Sequence, residues 1–245
     1  MLDMSYWTKA NPCIAVEHTQ KKFFGRYLYR LILNVRGIDL IKDTGSFESS
    51  LLARQLVANR FGYIGHWNYK YFYKVKLEDL DLTALEILRN FKNQCPAGVR
   101  LRVEEPRMII YAGSEEILKD ILGDQLQSVS KVHLHSITGP KNAETAELLN
   151  SGAILRKTDI GYRYKILFRD GRYGQEIKQQ ILGHLINFLP NSVEIPPSTY
   201  QMLSGNSQYL WSGYFYSDSS EITQMISLIC PGIILNCHEL IVQDK

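Results

Sequence analysis

YFYKVKL, residues 71–77, and YRYKILF, residues 162–168, hold tyrosine, tyrosine and lysine at the same three places: Tyr71 against Tyr162, Tyr73 against Tyr164, Lys74 against Lys165. Both are short runs of aromatic and β-branched residues, the pattern of a strand. A second match lies downstream of each. IIYAGSEEILKDI (109–121) aligns with YFYSDSSEITQMI (214–226), bringing Tyr111 onto Tyr216 and Glu116 onto Glu221. The first pair is offset by 91 residues (71 to 162) and the second by 105 (111 to 216). A duplication with about 14 extra residues in its second copy accounts for both offsets.

The elements around these matches repeat in the same order. After 71–77, DLTALEILRNF has Leu82, Leu85 and Leu88 at helical spacing behind Asp81, a good N-cap. Cys95-Pro96-Ala97-Gly98 breaks the chain, VRLRVE and PRMIIYAG read as strands, SEEILKDIL as a helix capped by Ser114, and SKVHLHSI as a strand. In the second copy YRYKILFRD is a strand, YGQEIKQQILGHLINFL a helix, SVEI and QYLWSGYFYS strands, SSEITQMISLI a helix and IILNCHELIV a strand. Both copies read βαββαβ, the ferredoxin-like or split βαβ unit. The expected fold is α+β. Residues 1–68 form an N-terminal α/β extension, 69–139 the first ferredoxin-like unit, 140–161 a linker with a short AETAELL helix, and 162–245 the second unit. YLYRLIL at 27–33 resembles the same strand motif, so a third, truncated unit is the alternative reading of the extension.

Strand alternation then assigns faces. Lys74 and Lys76, Arg100 and Arg102, Lys131, His133 and His135, and Arg163, Lys165 and Arg169 fall opposite the apolar positions of their strands. Helices on one side of each sheet would leave these residues on the open side. Shifting His133 by the second offset lands on His238, so each final strand would show one histidine at an equivalent place. His133, His135 and His238 are the candidates for acid–base chemistry, and the eight cations are the candidates for nucleic-acid contact. An exposed strand histidine is more often solvated or packed than catalytic.

The chain of 245 residues is long enough for a sizeable core, and its 45% hydrophobic and 22% charged residues are an ordinary globular balance. A net charge of +3 does not by itself call for nucleic acid. Cys13, Cys95, Cys230 and Cys237 form no CxxC pair, which points to free thiols in a reducing, cytoplasmic setting rather than a disulfide framework or a zinc ribbon. No signal-peptide pattern and no apolar stretch of about 18 residues is seen, so no membrane association is expected. GxGxxG, Walker, GxSxG and HExxH patterns are all missing, and no cofactor or metal is implied.

The arrangement resembles two groups at the level of architecture: the RRM proteins, and the duplicated ferredoxin-like endoribonucleases that process CRISPR transcripts. Neither MIIYAG nor YLWSGYFY fits the RRM aromatic consensus, and the C-terminal unit lacks the glycine-rich loop of the CRISPR family. Separately, HLH at 133–135 resembles the histidine–hydrophobic–histidine motif of rolling-circle and relaxase nucleases, in which both imidazoles hold a divalent cation and a helical tyrosine, here Tyr173, would attack phosphate. The surrounding Lys and Arg oppose a cation there.

Three functions follow as expectations. The first is nucleic-acid binding, RNA preferred, through basic open sheet faces, extending to metal-independent RNA processing. The second is a non-catalytic structural or assembly role, such as a viral or complex subunit, with protein partners or further copies of the chain. The third is the metal-dependent nuclease.

Overall fold

The computed structural model describes residues 2–61, 74–187 and 192–242. The chain divides into two compact units, Met1–Ala146 and Glu147–Lys245. Each is built on a five-stranded mixed sheet flanked by helices, a duplicated α+β architecture.

The first unit contains α1 (Met4–Ala10), β1 (Ala15–His18), β2 (Tyr29–Asn34), α2 (Phe47–Phe61), α3 (Leu82–Asn93), β3 (Arg100–Glu104), β4 (Arg107–Ala112), α4 (Glu115–Asp120), α5 (Gln127–His133) and β5 (Leu134–Gly139). Its sheet order is β1-β5-β2-β4-β3, with β1 parallel to β5 and the other neighbours antiparallel. YRLILN occupies the centre because Leu31 and Leu33 can be fully buried there, level with Met108, Ile110 and Ile137. Each such side chain contributes roughly 1.5–3 kcal/mol. Asp81 caps α3 by accepting from the Ala84 amide, and Ala84, Leu85, Leu88 and Phe91 form its buried stripe. α1 is pinned by Trp7, which is wholly buried. The Trp7 indole N–H and the Asp3 amide both donate to Oε1 of Glu115, each at 2.7 Å.

The second unit repeats the plan. It has β6 (Ile154–Arg156), β7 (Tyr164–Phe168), α7 (Gln175–Ile186), β9 (Val193–Glu194), α8 (Pro197–Ser204), β11 (Tyr214–Ser217), α9 (Ile222–Ile229) and β12 (Ile234–Val242). A two-stranded ribbon, β8 (Gly171–Arg172) with β10 (Tyr209–Leu210), is an added feature. The boundary between the units falls within α6 (Ala143–Asn150). The main sheet runs β6-β12-β7-β11-β9, with β6 parallel to β12. Rank for rank this is the order of the first sheet. Ile166, Phe168 and Phe215 turn one sheet face into a core with Ile181, Leu182 and Leu185 of α7 and Ile222 and Ile226 of α9.

Two expectations need correction. The strand expected at 71–77 is not formed over its described part; residues 71–73 lie outside the described residues. Lys74 sits in a turn and Leu77–Asp79 form a 3₁₀ turn. The physical reason is the run LEDLD that follows: Asp79 accepts from the Lys76 amide and Asp81 caps α3, so the chain is already turning into helix there. The first strand of the repeat is instead β2, supplied by the segment read as an N-terminal extension, which also supplies β1. The expected linker 140–161 likewise contributes β6 to the second sheet. The second correction concerns SKVHLHSI. α5 extends to His133, and strand β5 begins at Leu134. Val132, one of the apolar positions of the expected strand, is 74% exposed.

Lys178 of α7 has no exposed surface, yet its ammonium donates to the carbonyls of Met202 at 2.8 Å, Gly205 at 2.8 Å and Ser207 at 2.6 Å. Three donors meet three acceptors at the end of α8, which ties that helix and its following loop to α7. Burial pushes the Lys178 ammonium below the ordinary lysine value of 10.5. Replacing Lys178 by Met strands three carbonyls and is expected to cost about 3 kcal/mol in urea unfolding at pH 7. The unfolded chain holds the proton more tightly than the folded one, so the wild type gains stability as pH rises from the lowered folded value to 10.5, and the variant lacks that increment. A wild-type minus variant difference that is flat across this window would refute the assignment.

Candidate functional site

Cross-strand register places the same row of side chains on the open side of both sheets. In the second unit His238 pairs across to Lys165, Lys165 to Tyr216, and Tyr216 to Glu194. In the first, Thr138 pairs to Arg30, Arg30 to Tyr111, and Tyr111 to Arg100. A cation on the central strand beside a tyrosine on its neighbour is therefore common to both. The last strands are irregular at the same place: β5 skips His135 between Ser136 and Leu134, and β12 skips Leu235 between Asn236 and Ile234. His238 thus corresponds to Thr138, not to His133.

The second row is half open. The Lys165 ammonium lies 3.8 Å from the centroid of the Tyr214 ring and 5.8 Å from that of Tyr216. Tyr214 meets Tyr216 edge to face at 5.5 Å, and Tyr162 stacks on Tyr216 at 6.2 Å with 18° between planes. Burial, with a smaller contribution from its contacts with Tyr214, lifts the Tyr216 phenol above the ordinary tyrosine value, so it stays neutral. Nδ1 of His238 is 2.7 Å from the Gly152 carbonyl. That oxygen only accepts, so Nδ1 carries the hydrogen, and in the neutral ring Nε2 presents a lone pair.

The first row is closed. Arg30 reaches Glu17 at 2.8 Å and Thr138 at 3.0 Å, and the Thr138 hydroxyl donates to Glu17 at 3.0 Å. Phe23 and Tyr27 pack over Ile32, Ile109 and Tyr111, leaving Tyr111 only 5% exposed.

The predicted residues do not assemble into one cationic face. Lys74 is exposed in a turn, and Lys76, exposed beside the 3₁₀ turn, pairs with Glu78. Arg100 lies over the Phe24 ring, Arg102 pairs with Glu104, and Arg163 pairs with Glu239. Arg169 donates to the Gly232 carbonyl. Lys131 falls in α5. Lys165 is the one predicted cation placed within the tyrosine group. Tyr173, considered as a nucleophile, donates its hydroxyl to the Arg169 carbonyl at 2.9 Å. Tyr162 falls in RKTDIGYRYK (156–165), an aromatic and basic run whose pattern fits a nucleic-acid contact as well as a packed strand, whereas Tyr214 and Phe24 are contact residues the sequence reading misses. For Tyr214 and Tyr216 the signal lay in plain alternation: YFYS puts both tyrosines on one side and Phe215 in the core.

His133 and His135 do not converge. His133 is 15% exposed at the end of α5, with Nδ1 2.9 Å from the Asn34 carbonyl and Nε2 2.9 Å from Oδ2 of Asp81. His135 stands exposed at the irregularity of β5. Among the described residues, no three His, Cys, Asp or Glu side chains gather as a metal site, and no helix is long and apolar enough to cross a membrane. Comparison of the chain with protein-family models, curated proteins and solved structures finds no match.

His133 therefore ties the end of β2 to the cap of α3. Its hydrogen bond holds the Asp81 carboxyl below the ordinary aspartate value of 3.8, helped by the Ala84 amide. Replacing His133 by Ala is expected to cost about 1 kcal/mol at pH 7; the half-exposed carboxylate keeps the figure low. The contribution of Asp81 is complete above 3.8 and is lost as pH falls through its lowered folded value. The gap between wild type and variant should narrow on acidification, and a constant gap down to pH 2 would discard this pairing.

Proposed function

We propose that the protein binds single-stranded nucleic acid, RNA preferred, on the open side of the second sheet. The observation that carries this reading is the group of Tyr162, Tyr214 and Tyr216 around the Lys165 ammonium. Aromatic faces stack on bases, and a cation among them answers the phosphates of a strand passing over. The RNA preference rests on His238, whose Nε2 lone pair can accept from a 2′-hydroxyl, the group that separates RNA from DNA. Each sheet is read here as a ferredoxin-like βαββαβ unit extended by a parallel strand at the edge of its last strand. The shared order of last, first, third and second strands supports that reading.

A second reading, a scaffold that binds protein partners, is favoured by α9, where Leu228 is 86% exposed and Met225 44%.

Titration with a fluorescent oligouridylate and its deoxy counterpart tests both. Tyr216→Ala should weaken binding by about 1–3 kcal/mol, roughly 5- to 150-fold. Lys165→Ala should flatten the salt dependence by about one counterion. His238→Ala should bring the affinity for the ribo-oligomer down to that for the deoxy-oligomer. An absence of binding at low salt, together with concentration-dependent self-association or capture of a protein, would replace the first reading by the second.

A further inference from the structure

Phe24 is out of place by every local rule. It sits at the tip of a hairpin in which Phe23 and Tyr27 exchange backbone hydrogen bonds of 2.8 and 3.0 Å and the Arg26 amide donates to the Phe23 carbonyl. Both central residues have positive φ, 53° at Phe24 and 67° at Gly25. Turns of this hand favour Asn-Gly, and a bulky aromatic in the left-handed region is strained. The Phe24 ring is also 48% exposed, so ordinary burial offsets only part of that cost. What it gains is one specific seat. The Arg100 guanidinium lies 3.7 Å from its centroid, and Tyr111 meets it edge to face at 5.0 Å.

Arg100 and Tyr111 are neighbours in the first sheet's row, and Tyr111 occupies the position that Tyr216 holds in the second. Single-stranded bases are commonly held against an arginine guanidinium or an aromatic side chain, the two kinds of group that meet the Phe24 ring here. We infer that the first sheet carries a second nucleobase seat, between Arg100 and Tyr111, and that Phe24 fills it as an intramolecular substitute for a base. This rests on the proposed reading of the second sheet only for the class of ligand. Tyr27 belongs to the small buried cluster that holds Tyr111, and Phe23 packs against it; only the half-exposed Phe24 ring has to leave. The hairpin holds that ring at a high effective concentration, so a free strand competes poorly for the seat in the wild type.

The test is stoichiometry. Phe24→Asn removes the ring and gives the turn its preferred Asn-Gly sequence, so the hairpin should hold; Phe24→Gly repeats the experiment with no side chain at the position. Native mass spectrometry and titration with a short oligouridylate should find one oligomer per wild-type chain and two per Phe24→Asn chain. The second event should be at least tenfold tighter than any second event in the wild type. Adding Arg100→Ala to Phe24→Asn should return the count to one. If wild type and both Phe24 variants each bind one oligomer, the inference is overturned while the second-sheet site stands. If the wild type binds none and Phe24→Asn binds one, lost again with Arg100→Ala, the second-sheet reading fails and the Phe24 seat stands. If none of the proteins binds, both fail.

Discussion

Everything on these two sheets depends on a strand hydrogen-bonded on both sides. β2 lies between β4 and β5, and β7 lies between β11 and β12. A strand in that position has no freedom of register, because a slip of one residue would turn Leu31 and Leu33, or Ile166 and Phe168, out to water. Losing even two such side chains costs about 3–6 kcal/mol, a large share of a domain's stability. The same constraint aims the residues between them. Arg30 and Lys165 face outward because their neighbours must face in, and their cross-strand partners are then set by the ladder.

From a common frame the two open sides have diverged. In the first unit the cation is held by Glu17 and Thr138, and aromatic rings from the preceding hairpin bury what lies beneath. In the second unit the corresponding place on the last strand is His238, and the tyrosine at 162 stacks on Tyr216. Surface pairs such as Arg30 with Glu17 add little stability. Their consequence is local: they hold Arg30 against a carboxylate, whereas Lys165 lies against aromatic rings.

Much of this was legible in the sequence, and the failures have causes. The match of Tyr111 to Tyr216 is a true register equivalence, because both strands were anchored by the buried residues around them. The match of 71–77 to 162–168 is not. Tyrosine and lysine spacing is a weak signal by itself, and the capping aspartates downstream were the local information against a strand over 74–77. The histidine offset failed for a related reason. It assumed helices of equal length before the last strand, whereas α4 continues through a wide turn at Ile121–Gln125 into α5, and β5 starts only after His133. Alternation could sort Lys165 to the open side. It could not foresee that Arg102 and Arg163 would meet Glu104 and Glu239, since such pairings are decided by neighbours along and across strands.

The parallel edge strands bear on the order in which the molecule can form. Among the described residues, β1 at 15–18 pairs only with β5 at 136–139, and β6 at 154–156 only with the end of β12 at 240–242. Closing such distant ends is entropically expensive and slow, and it cannot begin before the later strand exists. During synthesis, β1 leaves the ribosome well before β5 and must wait for the rest of the first unit before it finds its partner. Until then the free side of β5 is an unpaired edge, so β1 acts last, sealing a sheet that its neighbours have already built.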